Sequence, residues 1–138
     1  MIQRVQSIFL FLSTGALGSV FVFPFASSPD KTQEYFSDGI FNVHDDVILL
    51  GLIVTTVIAC FVTIFLYSNR KLQLNLCLLS LFLIGGVFGM LIYSFSQLKD
   101  FTFDLGIASP ILGFVMTILA YIFIKKDDKL VKSMDRLR

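Results

Sequence analysis

The 138-residue chain reads as an all-α membrane protein, a four-transmembrane-helix bundle with a short C-terminal cytoplasmic amphipathic helix. Three observations predict this. Apolar residues make up 56% of the chain and charged residues only 15%, with 16 Phe and no Trp, and the mean hydropathy is +0.84. A soluble domain of this length could not hide so much hydrocarbon. The charges are also clustered, leaving uncharged windows at 5–25, 47–67, 72–95 and 105–124. Each window meets the roughly 20 apolar residues a helix needs to cross a hydrocarbon core of about 30 Å. Hydrocarbon forces the backbone to satisfy its own hydrogen bonds, so each is expected to be a helix. Nothing alternates with the period of two that a barrel strand requires.

The first window follows Arg4, a pattern shared with signal peptides, but its apolar run exceeds their usual core of about 7–15 residues. A cut after Ala26 would put Pro24 at a position that wants a small residue, so the window is expected to remain as a span. The loop 26–46 carries Ser27, Ser28 and Pro29, then Tyr35, Phe36 and Phe41, aromatics suited to the headgroup level or to packing within the loop. Asn42 or Asp45 is placed to cap the second helix. The turn "YSNRKL", 67–72, is short enough to make the second and third helices antiparallel neighbours. Pro110 puts the start of the fourth helix near Asp104 or Leu105, with a kink or a broken first turn. Residues 125–138 form the tail. Without repeats or low-complexity segments, 1–138 reads as one integral membrane domain.

Orientation follows from the cations. Arg4, Arg70, Lys71, Lys125, Lys126, Lys129, Lys132, Arg136 and Arg138 collect on one side, against Lys31 and Lys99 on the other. The positive-inside rule then places both termini and the central turn in the cytoplasm, with the chain in an inner membrane. The opposite loops are acidic, through Asp30, Glu34, Asp38, Asp45, Asp46, Asp100 and Asp104, a polarity that the net charge of +1 conceals.

Lipid tails give helices no hydrophobic reason to associate, so small residues mark contact faces. Gly85 and Gly89 have GxxxG spacing with Gly86 beside them, and each Gly sacrifices about 1 kcal/mol of helix propensity relative to Ala. Gly15 with Ser19, Thr55 with Ala59 and Thr63, and Ser109 with Gly113 repeat the pattern.

The windows hold no Asp, Glu, Lys, Arg or His. Ion paths, proton relays and most intramembrane active sites spend such residues, so those classes are disfavoured. Asn75 is expected at the headgroups. His44, Asp45 and Asp46, with Asp38 or Glu34, offer nitrogen and oxygen ligands. Neighbours at a helix mouth rarely converge, however, and carboxylates suit the helix's positive end, so no metal is expected. His44 has no second His for a paired haem ligation. Cys60 and Cys77 lack a C-x-x-C and differ in depth, which makes them small buried hydrophobes. No phosphate loop, nucleophile motif or nucleic-acid motif is present, so neither a cofactor nor nucleic acid is expected.

On a helical wheel the tail sets Leu130, Val131, Met134 and Leu137 opposite Lys125, Lys129, Lys132 and Arg136. Asp128 and Lys132 form an acid-first pair worth about 0.3 kcal/mol. With Arg70 and Lys71 these cations make a cytoplasmic contact surface, resting on lipid, on the chain's own turn or on a partner, the further alternative being a solvated stop-transfer tail.

The segments "MIQRVQS", "FLYSNRKLQLNLC" and "IKKDDKLVKSMDRLR" together resemble a family of small bacterial inner-membrane proteins classed only as a domain of unknown function. The resemblance implies a four-helix integral membrane protein of this length, with its shared features at Arg4, Asn69, Arg70, Lys71, Asp135, Arg136, Leu137 and Arg138. It implies no activity and supplies no catalytic residues. The expected role is that of a non-enzymatic structural or accessory protein. Its partners would be the lipid bilayer and a membrane protein or a second copy. The rival is a small transporter or channel component for an apolar or lipid-like substrate.

Overall fold

The computed structural model describes residues 3–28, 39–98 and 100–135. Several features read from the sequence lie outside the described residues: Glu34, Tyr35, Phe36 and Asp38 in the long loop, Lys99, and Arg136, Leu137 and Arg138 in the tail.

Among the described residues four α-helices carry the fold: α1 (Gln3–Gly18), α2 (Val47–Phe65), α3 (Arg70–Gln97) and α4 (Ala108–Asp135). They pack as a ring, each against its neighbours in the chain, and α1 closes on α4. The reason is a seam on each helix whose spacing alternates between four and three. α2 buries Leu49, Ile53, Thr56, Cys60 and Thr63, and α3 buries Gln73, Cys77, Ser80, Ile84, Val87, Leu91 and Ser94. α1 buries Gln6, Leu10, Ser13 and Leu17, and α4 buries Thr117, Ala120, Ile124 and Asp127. A period near 3.5 keeps each seam facing its partners along the whole length.

The distribution of polarity is that of a lipid-embedded protein. Gln6, Ser13, Thr56, Thr63, Gln73, Ser80, Ser94 and Thr117 are buried, while Phe82 is 79% exposed, Ile92 70% and Phe11 68%. In water that arrangement would leave large apolar patches uncovered; in a bilayer it is the ordinary one. Among the described residues three helices are long and apolar enough to cross a membrane, Val47–Ser68, Arg70–Gln97 and Leu105–Ser133, and the protein is a multi-pass membrane protein.

The expected fold class is corrected in three places. The first apolar helix, Val5–Phe21, is shorter than the other three and stops well before residue 25, so the described residues hold three long candidate spans rather than four. The chain leaves the helix there because Phe25 and Ala26 are drawn into backbone pairing with other segments, and Pro24 has no N–H to extend the helix. Second, among the described residues there is no separate short amphipathic helix at the C-terminus. α4 runs unbroken from the apolar segment to Asp135, since nothing after Lys125 breaks a helix. Third, the fold is not purely helical, because a small sheet closes one end.

That sheet has the order β2-β1-β3, all antiparallel, from β1 (Ala26–Ser27), β2 (Ile40–Phe41) and β3 (Thr102–Phe103). It ties the α1–α2 loop to the α3–α4 loop. Beneath it Phe25, Phe41 and Leu98 are buried on Leu49, Ile53, Val87 and Leu91. Phe95 stacks on Phe101 at 5.3 Å and meets Phe103 edge-on at 5.4 Å. Gly106 lies directly under Pro24, donating its N–H to the Pro24 carbonyl at 2.9 Å. A Cβ built on Gly106 would stand 2.3 Å from that same oxygen.

Helix starts also differ from expectation. Asp46, not Asn42 or Asp45, caps α2, its carboxylate accepting from the N–H of Ile48 and Leu49 at 2.8 and 3.1 Å. Asn42 and Asp45 form a reciprocal capping box on the preceding 3₁₀ turn, Val43–Asp45. Pro110 sits in the first turn of α4, after a 3₁₀ turn at Leu105–Ile107, where its missing N–H has no partner to lose.

Candidate contact surfaces

Three surfaces take up the residues that the sequence singles out. The first is internal, the seam of α1 on α4. Phe9 stacks on Phe123 at 5.3 Å. One turn further along α1 the hydroxyls of Ser13 and Thr117 lie 2.7 Å apart, and both reach the Gly113 carbonyl, at 3.0 and 2.8 Å. Leu17 then lies over Gly113, where a Cβ would come within 2.7 Å of its Cγ. Last, Ser19 and Ser109 share a hydroxyl contact of 2.7 Å. Ser19, Ser109 and Gly113 are thus brought together in one antiparallel ladder. Ser13 also lies 3.9 Å from the Cys60 sulfur, which joins α2 to it.

The second surface is external. Gly85, Gly86 and Gly89 lie on the exposed face of α3, and Gly15 on the exposed face of α1. A Cβ at Gly15, Gly85 or Gly89 would meet no atom within 4 Å, and one at Gly86 would meet only the Leu52 side chain, at ordinary contact distance of 3.6 Å. Packing within the chain therefore makes no demand for glycine at 85 or 89.

The third surface is at the end opposite the sheet, where α1 begins, α2 turns into α3 and α4 finishes. Arg70, Lys71, Lys125, Lys129 and Lys132 all belong to this end. Arg70 approaches Asp127 to 3.3 Å across the α3–α4 contact, with both side chains largely buried. Lys132 pairs with Asp128 one turn back on α4, as the spacing predicts. Lys125 instead lies over the Tyr121 ring, 5.7 Å from its centroid. The Asn69 side chain caps α3 by accepting from the Leu72 N–H.

Below these charges the ring has a polar layer. Gln73 is fully buried and donates its Nε2 to the Thr63 carbonyl at 3.3 Å. Gln6 lies one turn beyond Phe9, as Asp127 lies one turn beyond Phe123, so both fall at this same level. The side-chain oxygens Oε1 of Gln6 and Gln73 have no hydrogen-bond partner among the described residues. Sequence reasoning missed the Arg70–Asp127 tie and this layer. The signal was available: counting four and three from Gly113 through Thr117, Ala120 and Ile124 arrives at Asp127.

Elsewhere, His44 is exposed, 6.0 Å from the Phe21 ring, and its neighbours Asp45 and Asp46 are occupied as caps. Among the described residues no three His, Cys, Asp or Glu side chains gather as a metal site would require. Cys60 and Cys77 are both buried, as free thiols.

A family model described as a domain of unknown function, DUF4293, matches residues 2–137. No curated protein and no solved structure matches the chain.

Proposed function

The chain belongs to the DUF4293 family, and on that premise we propose that it is a non-enzymatic accessory protein of the inner membrane, acting by contact with a second membrane-embedded chain. One observation carries the reading: Gly85 and Gly89 stand on an exposed face of a long apolar helix with nothing within 4 Å of either missing Cβ. Each glycine weakens the helix by about 1 kcal/mol relative to Ala, a loss that close approach of another helix backbone would offset. The occupant is a membrane protein or a second copy of this chain. The rival reading as a transporter needs inward hydroxyls free to line a path. Those of Thr56, Thr63 and Ser80 are instead turned back onto carbonyls of their own helices, at 2.6–2.9 Å. In this reading the end bearing Arg70, Lys71 and the α4 cations faces the cytoplasm, and the sheet end faces outward.

The test is cross-linking in the membrane followed by mild-detergent extraction. Wild-type chain is expected to give a reproducible complex. Gly85→Leu with Gly89→Leu should lower its yield about tenfold, as a clash of about 1.4 kcal/mol would, while the monomer stays folded. Recovery of monomer alone from the wild type would sink the reading. Reporter fusions in the 29–38 loop and after residue 138 are expected to give opposite signals, and matching signals would overturn the orientation.

A further inference from the structure

We infer that the groove between the α2–α3 turn and the last turns of α4 holds the phosphate headgroup of an anionic membrane lipid. The groove has a volume of about 530 Å³, and its walls include Tyr67, Asn69, Arg70, Lys71, Asp128 and Lys132. Three of these are cations and one is a carboxylate. Two of the cations are held rather than loosely hung. Arg70 is anchored by Asp127 on α4 and Lys132 by Asp128 one turn back. Lys71 is exposed and has no ion-pair partner among the described residues. The first turn of the 28-residue α3 opens on the same groove and adds the positive end of a helix to the field.

The surroundings favour a lipid over a dissolved anion. The groove lies where the apolar surface of three long helices stops. Phe65 and Leu72, on either side of the turn, are 64% and 49% exposed, and Leu130 on α4 is 43% exposed. A lipid seated by its headgroup therefore has apolar surface on which to lay its chains, which a free phosphate would not use. The groove is also larger than a bare phosphate needs. This site is independent of the glycine face on α3, since a lipid can occupy it whether or not a second chain is bound.

Native mass spectrometry of the full chain from mild detergent, supplied with phosphatidylglycerol or phosphatidylcholine, reads the site directly. Each surface cation is worth about fivefold in binding to anionic lipid. Lys71→Gln with Lys132→Gln is therefore expected to lower phosphatidylglycerol retention between about fivefold and 25-fold, leaving phosphatidylcholine unchanged. Lys126→Gln removes one exposed charge of the tail outside the groove and should retain the lipid as wild type does, where Lys71→Gln alone is expected to lose about fivefold. Equal retention of the two lipids by the wild type would overturn the proposal, and so would equal losses in Lys71→Gln and Lys126→Gln, which would mean a diffuse field. Full displacement by inorganic phosphate at matched concentration would make it a site for a free anion instead. Should the double variant elute as aggregate, Lys71→Gln alone carries the test, with an expected loss of about fivefold.

Discussion

The two ends of the helix ring are closed by different physics. At the sheet end the closure is backbone. Main-chain bonds join β1 to β2 and β3, Gly106 donates to Pro24, and a cluster of Phe rings fills the space below. At the turn end the closure is side chain: Arg70 on Asp127, Gln73 on the Thr63 carbonyl, and an amide layer only partly satisfied. Backbone closure has fixed geometry and no slack, whereas long side chains can move aside or find water. The sheet end should therefore be brittle and the turn end tolerant.

Gly106→Ala tests the brittle end and carries the largest expected effect. The new methyl would stand 2.3 Å from the Pro24 carbonyl oxygen and 2.5 Å from that of Phe23. Neither atom can rotate away, so the loop must shift and the Gly106–Pro24 bond is lost. A destabilisation of about 3 kcal/mol or more is expected, seen as a lowered thermal midpoint of circular dichroism in detergent. A midpoint within error of wild type would mean that the loop yields easily, and the contrast between the ends would fail.

Asp127→Ala is the matching change at the turn end, and the expected loss is smaller, about 1–2 kcal/mol. Arg70 is left without its carboxylate but is 22% exposed and can reach solvent. A loss as large as that of Gly106→Ala would show the turn end to be equally rigid. Asp127→Asn, which keeps the shape without the charge, then separates packing from charge.

How much of this contrast could be read from the sequence depends on periodicity. The helices and the buried seams extend over many turns, and the four-and-three spacing that fixes them is visible in the residues themselves. Asp127 drops out of the seam when the tail is taken from Lys125 as a new segment. A wheel begun there favours Leu130 and Met134, whereas the seam carried down from Gly113 falls on Ile124, Asp127 and Val131. The sheet is a different case. Strands of two residues have no period to detect, and Ala26 pairs with Phe103 across most of the chain. Gly106 therefore carries no mark in the sequence that separates it from other membrane glycines. The small-residue pairs sit between these extremes. Ser19, Ser109 and Gly113 meet inside the chain and Gly85 and Gly89 face out, a division that spacing alone does not carry because both sets repeat at four.

The smallest expected effect is also the most diagnostic for the turn end. Gln6 is 1% exposed and its Oε1 has no partner among the described residues. A buried amide oxygen left unpaired is unfavourable by about 1–3 kcal/mol, so Gln6→Met, of similar length and without the amide, should leave stability unchanged or raise it slightly. Such a result would show that the layer weakens the ring and persists for another reason. Register is the physical candidate: an amide layer holds α1 level with Asp127, where a wholly apolar seam would let the helices slip. The same variant then reads the second half of the argument. Disulfide trapping between cysteines placed at Ser13 and Thr117, whose side-chain oxygens lie 2.7 Å apart, should be efficient on the wild-type background and spread to neighbouring positions when Gln6 is Met. A Gln6→Met protein that loses stability and keeps a single register would instead make the layer a cohesive one, and the two ends of the molecule more alike than their chemistry suggests.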